Sequence, residues 1–245
     1  MVERNESTKA IILSAGHGTR LLPITREIPK VMIPIGDKPV LEHLIRLCAS
    51  HNIQDVIINL HYLPDVITNH FADGSKFGVH ITYLYEEEKI LGGAGAIKNA
   101  ESLVNGDFLV MDGDVMTNLN LKKILNFHRE KKGIATFLVH KTNHPYDSDC
   151  VQFDENSRIT KFFRPKEGDI FDPMSKSGTH IFTPEVFQFI PKDIEFSLEH
   201  QLIPLLLSQG KSCYAYYSTE YSRDMGTPKR LEEVREDYQL GKISY

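Results

Sequence analysis

An α/β architecture, with a mixed but mostly parallel sheet covered by helices on both faces, follows from three features of the 245-residue chain. Short apolar runs alternate with segments of helical period up to residue 131, which implies right-handed βαβ crossovers. The first run, Lys9-Ala10-Ile11-Ile12-Leu13, opens directly into the glycine turn Ser14-Ala15-Gly16-His17-Gly18. After Ile134 the rhythm changes to closely spaced short strands, which predicts a smaller β-rich part added to the parallel one.

In chain order, the polar residues 1–8 predict a flexible N-terminal tail without the apolar core of a signal peptide. Helices are expected over 39–50, with Leu41, Leu44, Ile45 and Cys48 on one face, and over 64–71, started by Pro64. Strands are expected over 56–58 and 79–85, then a glycine-rich turn into a helix over 96–103. A strand over 108–111 and a helix over 121–131 complete the first half. The second half should hold strands over 136–140, 151–153, 159–163, 178–182 and 213–217. Helices are expected between them over 184–189 and 198–209, and last over 228–240. This pattern predicts one domain over 9–240, with halves 9–133 and 134–240.

Composition narrows the function. The formal charge of −5, from 28 basic and 33 acidic residues, argues against nonspecific nucleic-acid binding. Three separated cysteines without a Cys-x-x-Cys pair read as buried thiols in a reducing compartment. No apolar run reaches the length of a membrane span. A cytoplasmic protein with neither nucleic-acid nor membrane partners is expected.

The chemistry concentrates at predicted strand ends, where open α/β sheets bind ligands. Successive N–H groups in the turn after Leu13 can form a nest for phosphate. Arg20 adds a planar five-donor fork and Lys30 a mobile point charge, so the joint reading is a cradle for a nucleoside triphosphate. No P-loop is present, and Leu21 stands where a dinucleotide fingerprint needs its third glycine. His17 fills the variable position of the turn. The stretch from Tyr85 to Ala96 reads either as a solvated acidic loop or as backbone that approaches a ligand through Gly92, Gly93 and Gly95. At Met111-Asp112-Gly113-Asp114, an Asp past a buried strand must pair or bind a cation, unless Asp114 caps the next turn.

Together, Ala15-Gly16-His17-Gly18-Thr19-Arg20-Leu21, Pro29-Lys30-Val31-Met32-Ile33-Pro34 and Lys38-Pro39 resemble the signature of the sugar-1-phosphate nucleotidyltransferases. The resemblance runs from about Lys9 to Arg235 and departs at Val31, where the family has Pro. It implies a Rossmann-like, GT-A-like fold and the reaction of an NTP with a sugar 1-phosphate to give an NDP-sugar and pyrophosphate. Arg20 and Lys30 would be catalytic. Ser14, Ala15, Gly16, Gly18, Thr19, Glu87, Gly92, Gly93 and Asp112 would bind the nucleotide. Asp114 matches the last Asp of the family's Asn/Asp-Gly-Asp, and Asp224 the Asp of Asp-Ile-Gly-Thr-Pro, so the pair would hold Mg²⁺. Gly93 replaces the usual Thr of the nucleoside turn.

On the sugar side the family's Glu-Lys-Pro is missing, and Arg164-Pro165-Lys166-Glu167 stands in its place. Lys166 or Arg164 would contact the sugar phosphate and Glu167 the sugar hydroxyls, with Gly178 beneath the sugar and Glu199 touching it. Phe196-Ser197-Leu198-Glu199 and Leu91-Gly92-Gly93-Ala94-Gly95 look most like guanylyltransferases for mannose or heptose 1-phosphate, with GTP as the nucleotide. Thymidylyl, uridylyl and cytidylyl relatives share most of these residues, and a catalytically silent regulatory homologue is the rival from another class. Members of the family commonly form homo-oligomers.

Overall fold

A computed structural model describes residues 8–142 and 144–243. Of the expected N-terminal tail only Thr8 falls among them; the rest lies outside the described residues.

The chain opens with β1 (Lys9–Leu13), passes the glycine turn and three short 3₁₀ turns, and forms a small hairpin of β2 (Pro34–Ile35) and β3 (Lys38–Pro39). Then come α1 (Val40–Ser50), β4 (Asp55–Leu60), α2 (Pro64–Phe71), β5 (His80–Tyr85), α3 (Gly92–Asn99), β6 (Phe108–Asp112), β7 (Val115–Thr117) and α4 (Leu121–Lys131). The second half adds β8 (Ala135–Lys141), β9 (Cys150–Phe153), β10 (Ile159–Phe163), β11 (Met174–Phe182), α5 (Ile203–Ser208), β12 (Cys213–Tyr217), β13 (Ser222–Asp224) and α6 (Pro228–Gln239).

One sheet runs through both halves. Strands β5, β4, β1 and β6 lie parallel, as helical crossovers require. β11 then joins β6 in the antiparallel sense and carries β8 and β9 beyond it. The sheet is apolar on both faces, and the alternation of side chains divides the core. Ala10, Ile12, Val56, Ile58, Leu109 and Met111 pack toward α1, α2 and α6. Ile11, Ile57, Phe108 and Val110 pack on the other face with Ala94 and Ile97 of α3 and Ile203 of α5.

Three local expectations need correction. The helix expected over 96–103 begins four residues earlier, at Gly92, and ends before a 3₁₀ turn at Glu101–Leu103. Glycines disfavour a helix, but tertiary packing overrides them, since Ala94 N and Gly95 N both donate to Phe196 O at 3.0 and 3.1 Å. Pro184–Phe189 is 3₁₀ rather than α. The segment expected as one helix over 198–209 starts as a π turn, Leu198–Leu202, with Leu202 N donating to Ser197 O at 3.0 Å. Pro204 has no N–H for the His200 carbonyl and its ring crowds that group, so the turn widens.

Candidate active site

The glycine turn leaves β1 at the carboxyl end of the parallel sheet. Gly18 sits in the left-handed region at φ 65° and caps the 3₁₀ turn Thr19–Leu21 that carries Arg20. A Cβ there would lie 2.9 Å from Lys30 Cβ and from Thr25 Cγ2, so this turn needs glycine on both conformational and steric grounds. Thr25 Oγ1 donates to Gly18 O at 2.9 Å and braces the turn. The Ser14 N–H is already committed to Asn59 Oδ1 at 2.7 Å, leaving the rest of the turn to face the cavity.

Two cavities open at this end of the sheet. The first, of 460 Å³, is lined by Ser14, Ala15, Gly16, Gly18, Thr19, Arg20, Lys30, Asn59, Gly92, Gly93, Asp112 and Asp114 among others. The second, of 390 Å³, lies toward β8 and β11 and takes in Lys176, Gly178, Glu199, Asp224, Arg164 and Arg230. Arg20, Asp112, Asp114 and Glu199 line both and form the wall between them. Nearly all of the expected site residues therefore converge on one cleft.

Asp114 and Asp224 meet through a pairing too short to read from sequence. β7 and β13 run antiparallel with Asp224 opposite Val115, and Met225 N donates to Asp114 O at 3.0 Å. The Asp114 carboxylate is in hydrogen-bond contact with Lys30 Nζ. Asp224 takes the Gly226 N–H at 2.9 Å and one Arg230 nitrogen at 3.1 Å on each oxygen. Burial opposes ionisation of Asp224, but the Gly226 N–H, Arg230 and Lys30 outweigh it and hold the carboxyl below the usual range. Among the described residues no group of three or more His, Cys, Asp or Glu could hold a metal alone. The two carboxylates are hard oxygen donors that leave other positions to phosphate oxygens and water, a set that suits Mg²⁺.

Asp112 ends β6 beneath Gly178, where a Cβ on Gly178 would come within 2.6 Å of Asp112 Oδ2. Burial, reinforced by Glu199 and Asp114, pushes the Asp112 carboxyl up to about 6 against the pull of Lys176 and Lys30.

Two expected residues lie elsewhere. Glu87 is exposed and lines neither cavity, while its neighbour Glu86 turns inward and is buried. Glu86 accepts from Asn59 Nδ2 and Leu91 N, each at 2.7 Å, and so ties β4 and β5 to the start of α3. Lys166 is exposed in the β10–β11 loop and outside both cavities; its backbone N–H donates to Asp169 Oδ2 at 2.7 Å. Of the two cations weighed for that role, Arg164 reaches the second cavity, paired with Asp149 at 2.9 Å.

The structure also adds Asn59, Arg230 and Lys176. No local pattern states the last, because β11 shifts register against β8 between Lys176 and His180.

The chain is similar to known nucleotidyl transferases in sequence and in fold. The family model described as nucleotidyl transferase matches residues 9–240. Mannose-1-phosphate guanylyltransferase of Mycobacterium tuberculosis is 35% identical over 90% of this chain and 61% of its own. UTP–glucose-1-phosphate uridylyltransferase of Synechocystis is 36% identical over 84% of this chain and 57% of its own. The chain thus spans about three fifths of the length of these relatives. The structure of HddC from Yersinia pseudotuberculosis complexed with GMP-PN superposes with a TM-score of 0.80 at 24% identity, covering 94% of this chain and 99% of that one. The fold, the cleft and the family match agree: the chain belongs to the nucleotidyl transferase family.

Proposed function

We propose that the protein is a sugar-1-phosphate nucleotidyltransferase, joining an NTP and a sugar 1-phosphate into an NDP-sugar with release of pyrophosphate. The observation that carries this reading is the pair of cavities divided by Arg20, Asp112, Asp114 and Glu199. It offers two substrates separate chambers and one charged meeting point.

In this mechanism a sugar phosphate oxygen attacks the α-phosphorus in line, and the pair of electrons leaves with pyrophosphate. The protein positions the reactants and neutralises charge, with no covalent enzyme intermediate. Arg20 holds the β- and γ-phosphate oxygens and the leaving pyrophosphate. Lys30 donates to phosphate oxygens beside the line of attack. Asp114 and Asp224 would hold Mg²⁺, which would supply Lewis-acid polarisation of a phosphate when bound. The glycines of the α3 start let backbone lie against the nucleoside.

GTP with mannose or heptose 1-phosphate is the favoured pair, supported by the guanylyltransferase relative. A uridylyltransferase is the second reading, favoured by the Synechocystis relative of equal likeness. A single catalytic unit over 9–240 is supported by the continuous sheet and the span of the family match. Among the described residues no helix is long and apolar enough to cross a membrane. Free, buried Cys48, Cys150 and Cys213 support a cytoplasmic setting.

The reverse reaction tests the proposal. GDP-mannose or UDP-glucose incubated with pyrophosphate and Mg²⁺ should yield the NTP, and EDTA should stop it. Failure of every nucleotide sugar to yield an NTP would contradict the assignment.

A further inference from the structure

Lys176 lies on β11 with only 6% of its side chain exposed, on the strand face that also carries Gly178 and His180. Its ammonium donates to Glu199 Oε1 at 2.9 Å, to His180 Nε2 at 3.1 Å and to Ser177 O at 3.3 Å. These contacts occupy its three protons. Burial, with Lys176 beside it, keeps the His180 ring neutral, so Nε2 is free to accept. Burial opposes the charge on both Lys176 and Glu199; the Glu199 and Asp112 carboxylates together outweigh it at Lys176, and chiefly the Lys176 ammonium outweighs it at Glu199. Arg164 and Arg230, by contrast, spend their charge on Asp149, Asp224 and Asp147 along the rest of the second cavity.

Glu199 follows the Ser197 cap, whose Oγ accepts the His200 N–H at 3.1 Å, and it reaches the wall shared by both cavities. Its Oε2 makes no hydrogen bond to another residue among the described residues. A sugar phosphate that reacts at this wall brings one ring hydroxyl close to it, the group on the carbon beside the anomeric phosphate. We propose that Lys176 is a positioning residue that fixes the Glu199 carboxylate at the junction of the cavities, where it accepts a hydrogen bond from the sugar 2-hydroxyl. The site thereby selects 2-hydroxy sugar 1-phosphates. This inference rests on the nucleotidyltransferase reading and specifies its sugar.

The test compares kcat/KM for the best sugar 1-phosphate and for its 2-deoxy analogue. It uses the wild type, Lys176→Met, Glu199→Gln and the double variant, with NTP affinity measured by calorimetry. The wild type should prefer the hydroxylated substrate by about 10- to 100-fold, the range of a hydrogen bond to a charged group. Each variant should lose most of that preference and raise KM for the sugar phosphate while NTP affinity holds. The double variant should match Glu199→Gln, because both changes remove one interaction. If Lys176→Met does not fold, Glu199→Gln and the double variant, which deletes both buried charges, decide the matter. A wild type that uses the 2-deoxy analogue equally well, or variants that keep the full preference, would overturn the inference. An inactive wild type against all sugar phosphates would remove the underlying reading with it.

Discussion

Gly226→Ala perturbs the proposed site without deleting a charge. The backbone there is not left-handed, so alanine is conformationally permitted, but its methyl would arrive 2.8 Å from Asp224 Oδ1, 3.0 Å from Arg20 Nη2 and 3.4 Å from Lys30 Nζ. Ordinary contact begins near that last distance, so Asp224 and Arg20 must each retreat by several tenths of an ångström. A misplacement of about 1 Å costs on the order of 10²-fold in rate, so a shift of about half that should cost about tenfold, or ~1.4 kcal/mol in the barrier. The contacted atoms are ends of flexible side chains, which limits the stability cost to about 1 kcal/mol. Steady-state pyrophosphate release and thermal unfolding, measured on the same preparation, separate the two effects. A variant with wild-type kcat would refute the claim that these groups act together; a large fall in melting temperature would show that the glycine serves the fold instead.

Other outcomes follow from the same geometry. Arg20→Ala should lower kcat/KM by about 10²–10³-fold, the usual loss of one preorganised charge partner; a rise in KM alone would make Arg20 a binding residue only. Asp114→Asn should nearly abolish turnover and shift the Mg²⁺ titration while leaving the melting temperature in place, and wild-type activity would exclude Asp114 as a ligand. Glu86→Gln sets an amide N–H₂ against one of two donors, so urea unfolding should report a loss of about 1–3 kcal/mol, together with weaker NTP binding. Burial lowers the pKa values of His43, His128, His140 and His180 in the fold. Once unfolded, these imidazoles protonate near 6.5, so below that pH the unfolded chain binds more protons. The stability these four histidines contribute is complete above pH 6.5 and falls below it, by at most about 1.4 kcal/mol per pH unit for each, against a smaller opposite gain from the raised Asp112 carboxyl below about 6. A melting temperature unchanged between pH 7 and pH 5 would contradict this.

How much was legible in the sequence depended on whether local signals settled each feature. α2 begins at Pro64 and α4 follows the Asn120 cap, whose Oδ1 accepts the Lys123 N–H at 3.1 Å, so their bounds agree with expectation. The bounds of strands β10 and β12 also agree with expectation. The hairpin β2–β3 and the pair β7–β13 are too short to carry a period, yet the second brings Asp224 beside Asp114. Residues such as Arg20, Lys30 and Asp112 were readable because a parallel sheet gathers its carboxyl ends. Which of Glu86 and Glu87 turns inward depends on Asn59 from another strand, and no local pattern states it. Lys166 and Lys176 show the same limit: one is on a loop that bonds to itself, the other on a strand face shared with Gly178.

The central claim is tested most directly by pyrophosphate release with Mg²⁺, measured over ATP, GTP, CTP, UTP and dTTP against glucose, mannose, N-acetylglucosamine and heptose 1-phosphates. The account predicts strong release that EDTA stops, greatest with GTP and mannose or heptose 1-phosphate. Release confined to another nucleotide would keep the mechanism and replace the base assignment. No release with any pair, while nucleotide sugars still bind, would contradict the account and point to a regulatory binding protein.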